Sequence, residues 1–303
     1  MKTESISERY VDLDRWPTEA AVEAMLEGQF AAVAAVSGET SAIAAAANAA
    51  ADRLRAGGRL LYAGAGTSGR LAVQDGVELV PTFGWPAERL GFAIAGGFAA
   101  LTTSAERAED DPSAAKSDVR ALSVSADDVL IAVAASGRTP YTLAAVETAN
   151  AAGALTIAVV NNRPSPVLDA ADIGVCAETG PEIVAGSTRM KAGTAQKVIL
   201  NLISTAAMIR CGRVYKGLMV DMSISNDKLR RRAEAMIERL AHASPEAAAR
   251  ALNAAEGDVK IGVLTALGAP LSRAREILTD AGGDLRAAVD RLAAGDEEEG
   301  RRR

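Results

Sequence analysis

Residues 64–70, Gly-Ala-Gly-Thr-Ser-Gly-Arg, and residues 134–141, Ala-Ala-Ser-Gly-Arg-Thr-Pro-Tyr, each follow an apolar run and each precede a helical pattern. A glycine-rich turn bearing hydroxyls at a helix start presents unpaired backbone N–H groups, the positive end of the helix dipole and side-chain donors. That combination suits a phosphate. Two such turns in one α/β domain point to a phosphorylated small molecule, with Thr67, Ser68, Ser136, Gly137 and Thr139 as candidate contacts and Arg138 as a neighbouring cation. The first turn is not a Walker loop, because no Gly-Lys-Ser/Thr follows the glycines. Its Gly64-x-Gly66-x-x-Gly69 spacing fits the dinucleotide fingerprint, but no acidic residue ends the second strand, where Gly96-Gly97 stand. The second turn also suits plain helix capping, with Thr139 as N-cap and Pro140 at the first helical position.

The elements that must position these turns follow from the apolar pattern. Residues 17–56 are expected to form two helices, the second beginning near Thr40 and closed by Gly57-Gly58. Short apolar runs at Leu60–Ala63, Leu90–Ile94, Val129–Ala134, Leu155–Val160 and Ile173–Cys176 alternate with helical segments. That alternation predicts an α/β fold, a mostly parallel, doubly wound sheet with helices on both faces. Ligands of such sheets sit at the carboxyl ends of the strands, where both turns fall. A long helix is expected from Thr188 to Ile209. After Ser225 the pattern is helical only, punctuated by Pro245, Gly257, Pro270 and Gly282-Gly283. The expected organisation is an N-terminal helical arm (1–56), an α/β domain that carries both turns (57–222), a C-terminal helical region (223–295) and a disordered tail of acidic and basic blocks (296–303).

Composition narrows the functional classes. A net charge of -6 argues against a nucleic-acid binder, which needs a basic face. Cys176 and Cys211 give neither a disulfide framework nor a metal spacing, and the single histidine, His242, lies in a helical stretch far from both turns. No apolar run is expected to reach the ~18 residues of a membrane span, and a cytoplasmic protein is the expectation.

The two turns, together with residues 180–197, Gly-Pro-Glu-Ile-Val-Ala-Gly-Ser-Thr-Arg-Met-Lys-Ala-Gly-Thr-Ala-Gln-Lys, resemble the N-acetylmuramic acid 6-phosphate etherases, enzymes with a sugar-isomerase (SIS) domain. The third stretch resembles the signature these enzymes share with the glucokinase regulatory protein. The resemblance implies a homodimeric lyase, without metal or organic cofactor, that removes D-lactate from carbon 3 of N-acetylmuramic acid 6-phosphate. It implies catalytic roles for Glu78, in Asp75-Gly-Val-Glu78, as the acid that protonates departing lactate and then activates water. Glu109, in Ala105-Glu-Arg-Ala-Glu109, is implied as the base at carbon 2. Glu106, three residues before Glu109 on an expected helix face, competes with it for that role. The resemblance further carries over Ser68, Ser136 and Thr139 as phosphate-binding hydroxyls, with Ser187, Thr188 and Lys191 as candidates that either line the site or flank the long helix.

A straight helix from Ser68 to Glu78 would place that carboxylate ~15 Å from the phosphate turn, too far for one hexose phosphate. Either Gly76 ends the helix, or the phosphate binds mainly at the second turn, or a neighbouring subunit completes the site. Departures from the family pattern are Ser5-Ile6-Ser7-Glu8 where an Arg-Asn-Pro run usually follows Thr3-Glu4, Gly76-Val77 in place of Ala-Ser, and Ala134 in place of a serine. Two alternatives remain: a non-catalytic sugar-phosphate-binding regulator, which would not need both glutamates, and an aldose-ketose isomerase, which would need only one carboxylate base.

Overall fold

The structure is a computed structural model that describes residues 1–103, 105 and 107–302, with side chains left aside from residue 295 onward. Glu106 therefore lies outside the described residues. The chain divides into two compact units, one formed by Met1–Val77 with Ala87–Ala207, the other by Glu78–Pro86 with Met208–Arg303.

The first unit begins with two Ala-rich helices, α1 (Thr18–Val36) and α2 (Thr40–Arg55), as the sequence predicts. Five strands follow, β1 (Leu60–Gly64), β2 (Leu90–Ile94), β3 (Val129–Ala134), β4 (Leu155–Val160) and β5 (Ile173–Cys176), each at its expected apolar run. They form one sheet in the order β2-β1-β3-β4-β5, all parallel. The intervening helices are α3 (Gly66–Phe83), α4 (Pro112–Ala121), α5 (Pro140–Ala151), α6 (Pro166–Ala170) and α7 (Lys191–Arg210).

Both sheet faces are covered, which is why the strands are continuous apolar runs rather than alternating ones. Leu61, Ala63 and Leu130 pack with Ala115 and Val119 of α4 and Ala144 and Ala145 of α5. On the other face the Tyr62 hydroxyl donates to Asp75 of α3 at 2.8 Å. Asp75 also accepts from Asn201 (2.7 Å) and Ser204 (3.1 Å) of α7, so one buried carboxylate ties both helices to β1. Burial pushes the Asp75 carboxyl above its ordinary range, although these three donors oppose that shift. Between β1 and β3 the strand order reverses, and the register sets Gly64 opposite Val133. The two glycine-rich turns therefore leave adjacent strands at the topological switch point, where ligands of open α/β sheets bind.

Helix α3 does not end at Gly76; it continues to Phe83, with Pro81 inside it. Gly76 serves packing instead. A Cβ there would stand 2.7 Å from the Phe92 ring and 2.9 Å from the Tyr62 ring, which stack on one another at 5.8 Å.

The second unit is built from the α3 end, a short antiparallel ribbon β6 (Val214–Tyr215) and β7 (Leu218–Met219), and the helices α8 (Asp227–Ala241), α9 (Pro245–Ala254), α10 (Val259–Ala266), α11 (Leu271–Asp280) and α12 (Leu285–Arg302). Ser244 and Asp258 cap α9 and α10 through their side chains, as their sequence positions suggest. His242 is exposed and closes α8 in a left-handed conformation. Ile237, Leu252, Val263, Leu264 and Ile277 form this unit's apolar centre. Within it, buried Lys260 pairs with Asp221 at 2.5 Å.

The membrane expectation needs one correction. Thr18–Arg55, the run of α1 and α2, contains an 18-residue window apolar enough by composition to pass as a span, a consequence of its many alanines. In the fold α1 buries Ala24, Gly28, Ala32 and Val36 in the first unit. Its opposite side exposes Val22, Leu26, Phe30 and Val33.

Candidate active site

A cavity of ≈ 440 Å³ opens at the switch point of the first unit, within the range of small-molecule sites. Thr67, Ser68, Glu109, Ser136, Arg138, Thr139 and Thr188 line it, so most of the candidate contacts share one space. Ala134, which stands where the family pattern has a serine, is also in the wall and brings no hydroxyl to it.

The two turns hold their hydroxyls differently. In the first, buried Ser68 donates to Gln196 Oε1 at 3.0 Å; Gln196 in turn donates to Asn161 (2.9 Å), and Asn161 to the Ala177 carbonyl (3.0 Å). The Ser68 proton is thus engaged in a buried chain of amides, while the first residues of α3, Gly66 and Thr67, line the cavity at a helix end whose N–H groups have no acceptor within the helix. In the second turn Ser136 Oγ and Thr139 Oγ1 face each other at 3.3 Å on the cavity wall. Thr139 occupies the N-cap of α5 and Pro140 follows it, yet the Thr139 side chain makes no capping bond. Its hydroxyl is turned toward the cavity partner instead. Gly137, at φ +66°, lets the turn cross Ser165: a Cβ would lie 2.2 Å from Ser165 Oγ, which donates to the Gly137 carbonyl at 3.0 Å.

Glu109 lies in a short 3-10 turn, Ala108–Asp110, not on the expected helix; α4 begins only at Pro112, capped by Asp111. The turn is entered through Arg107 in a left-handed conformation, φ 63°. Glu109 is exposed and lines the cavity.

Glu78 is exposed on α3, ten residues beyond Ser68 on a helix that Gly76 does not interrupt. The rise of a helix gives ~15 Å between them along the axis. Glu78 falls in the second compact unit, whereas the cavity lies wholly within the first.

The 180–197 stretch is mainly a device for starting α7. Fully buried Glu182 accepts from the backbone N–H groups of Lys191 and Ala192, both at 2.9 Å, so its carboxylate occupies the helix N-terminus. Lys191 donates its ammonium to the Pro181 carbonyl at 2.9 Å, and burial lowers its pKa. Thr188 lines the cavity; Ser187 and Lys191 are not among its lining residues.

One contributor escapes sequence reasoning. Thr3 is fully buried: its N–H donates to Asn162 Oδ1 (3.3 Å), its hydroxyl accepts from Asn162 Nδ2 (2.9 Å), and its carbonyl accepts from Gly186 N–H (3.2 Å). The N-terminal arm is thereby pinned despite lacking the Arg-Asn-Pro run, and Glu4 joins the cavity wall. The only signal was the Thr3-Glu4 pair itself, too short to reveal a buried anchor.

A parallel sheet with paired hydroxyl-bearing turns at its switch point defines the chain as an SIS-domain protein. In agreement, the SIS domain model matches residues 102–206, and the model of the glucokinase regulatory protein N-terminal SIS domain matches residues 38–150. A solved structure from Bacteroides fragilis, described as a phosphosugar isomerase involved in capsule formation, shares this fold with a TM-score of 0.52 at 21% identity, covering 64% of this chain and 91% of that one. Proteins named N-acetylmuramic acid 6-phosphate etherase are far more similar. That from Deinococcus radiodurans is 48% identical over 94% of both chains. That from Streptomyces avermitilis is 46% identical over 95% of this chain and 93% of its own, and that from Symbiobacterium thermophilum is 47% identical over 88% of both. The chain belongs to the N-acetylmuramic acid 6-phosphate etherase family.

Proposed function

We propose that the chain cleaves the lactyl ether of N-acetylmuramic acid 6-phosphate, giving N-acetylglucosamine 6-phosphate and D-lactate, within cell-wall amino sugar recycling. The single observation that carries this reading is the cavity in which Glu109 and the hydroxyls of both turns meet, in a chain nearly half identical to etherases. The 6-phosphate accepts from Ser136 and Thr139 and from the first turn's backbone N–H groups, with Arg138 adding positive charge. The sugar reacts as its open-chain aldehyde. Glu109 takes the carbon 2 proton, whose acidity comes from the adjacent carbonyl, and the electron pair forms the carbon 2–carbon 3 double bond. The carbon 3–oxygen bond breaks as Glu78 gives a proton to the lactyl oxygen, releasing D-lactate. Glu78 then takes a proton from water adding at carbon 3, and Glu109 returns a proton to carbon 2.

Two features support a homodimer with a shared site. Helix α3 is unbroken between Ser68 and Glu78, which favours delivery of Glu78 by a neighbouring copy, and α1 exposes the apolar stripe Val22, Leu26, Phe30 and Val33. A charged sugar phosphate does not cross membranes unaided, so the reaction belongs in the cytoplasm.

The test is D-lactate release from N-acetylmuramic acid 6-phosphate. Glu78→Gln and Glu109→Gln should each abolish it. Mixing the two inactive variants after dissociation should restore part of the activity, because one site of the mixed dimer then holds both native glutamates. Absence of lactate from the unaltered, folded chain overturns the reaction; absence of rescue overturns sharing.

A further inference from the structure

A second cavity, of ≈ 360 Å³, adjoins the first and shares Ala65, Gly66 and Glu109 with it. Two arginines line it. Arg70, from the second turn of α3, anchors its Nε on the carbonyls of Ala100 (3.1 Å) and Leu101 (3.2 Å). Arg107 is the left-handed residue that precedes the Glu109 turn. An arginine at φ 63° is strained, and such strain persists where surrounding structure holds the residue in place. Among the described residues, the rest of the wall is Glu109, Gly66 and small apolar side chains, among them Ala100 and Ala105.

We infer that this side chamber receives the lactyl group, its carboxylate on the guanidinium groups of Arg70 and Arg107 and its methyl against the alanines. The inference rests on the etherase reading and deepens it. The substrate of that reading carries two anions at separate places on the sugar, the 6-phosphate and the lactyl carboxylate, the latter joined through carbon 3, one of the two carbons that react. The site offers two chambers: one has paired hydroxyls and Arg138, the other has two arginines, and Glu109 stands where they join. Planar guanidinium groups match a carboxylate with two parallel hydrogen bonds, a geometry a lysine does not reproduce. The chamber therefore distinguishes substrate from the product sugar, which keeps the phosphate and acetamide but lacks the carboxylate. It also gives D-lactate a place to reside after the ether bond breaks.

The experiment compares two sugars by titration calorimetry on Glu109→Gln protein, which holds the ether intact. Adding Arg107→Gln should weaken N-acetylmuramic acid 6-phosphate about tenfold or more while leaving N-acetylglucosamine 6-phosphate within about twofold. Arg107→Gly removes the guanidinium yet accepts the left-handed backbone without strain, so it gives the same test if glutamine disturbs the turn. In otherwise unaltered enzyme, Arg107→Gln should raise KM and abolish inhibition by D-lactate, with Arg107→Lys recovering only part of the loss. Equal weakening of both sugars would make Arg107 a phosphate contact and overturn the inference, as would no change in either. A chain that releases no D-lactate at all defeats the reaction instead, a failure distinguishable from this one.

Discussion

The first and second glycine-rich turns look alike in sequence and are used differently in the fold. Each follows a buried strand, each opens a helix and each carries hydroxyls, yet Ser68 spends its proton on buried Gln196 while Ser136 and Thr139 face one another on the cavity wall. The first turn is tied to the far end of the 180–197 signature through α7; the second is braced from beside it, by Ser165 beneath Gly137. Similar composition therefore produces one turn that is part of the scaffold and one whose donors are available to an anion.

Four substitutions probe that contrast. Gly137→Ala should be the most damaging, because it adds a Cβ 2.2 Å from Ser165 Oγ at a positive φ. We expect a loss of about 2–4 kcal/mol in denaturant unfolding together with loss of measurable sugar-phosphate binding. Ser136→Ala and Thr139→Ala should each weaken N-acetylglucosamine 6-phosphate by about tenfold, the worth of a hydrogen bond to a charged group. Their stabilities should stay within about 0.5 kcal/mol, since neither hydroxyl braces the core. Ser68→Ala should show the reverse balance: about 1–2 kcal/mol of stability lost through the unpaired Gln196 carbonyl, and affinity changed by less than about threefold. A Ser68→Ala protein with native stability and tenfold weaker binding would erase the distinction between the turns.

Much of the frame was legible in the chain because parallel strands buried on both faces are continuous apolar runs. The five runs from Leu60 to Cys176 became the five strands. The two turns were legible for a related reason, as glycine and hydroxyl residues between a strand and a helix have few other uses. What was not legible depends on side-chain orientation, on local backbone geometry and on contacts distant in sequence. Thr139 and Pro140 have the composition of a helix cap, and only the fold shows the Thr139 hydroxyl turned to Ser136. Gly76 offered one of three ways to bring Glu78 nearer, by ending the helix, but in the fold it is a gap left for two aromatic rings. Glu109 looked helical by its spacing and lies in a 3-10 turn instead. The Glu182 carboxylate on the α7 start and the buried Thr3 anchor join residues 9 or more positions apart, beyond the reach of any local pattern.

The central claim is that the second turn holds the phosphate while Glu109 faces the carbons that react. A crystal structure of Glu109→Gln protein with N-acetylmuramic acid 6-phosphate tests it most directly. The account predicts the phosphate within hydrogen-bond distance of the Ser136 and Thr139 hydroxyls and carbon 2 beside residue 109. A phosphate bound away from both turns, or a sugar reversed so that its phosphate meets residue 109, would contradict it.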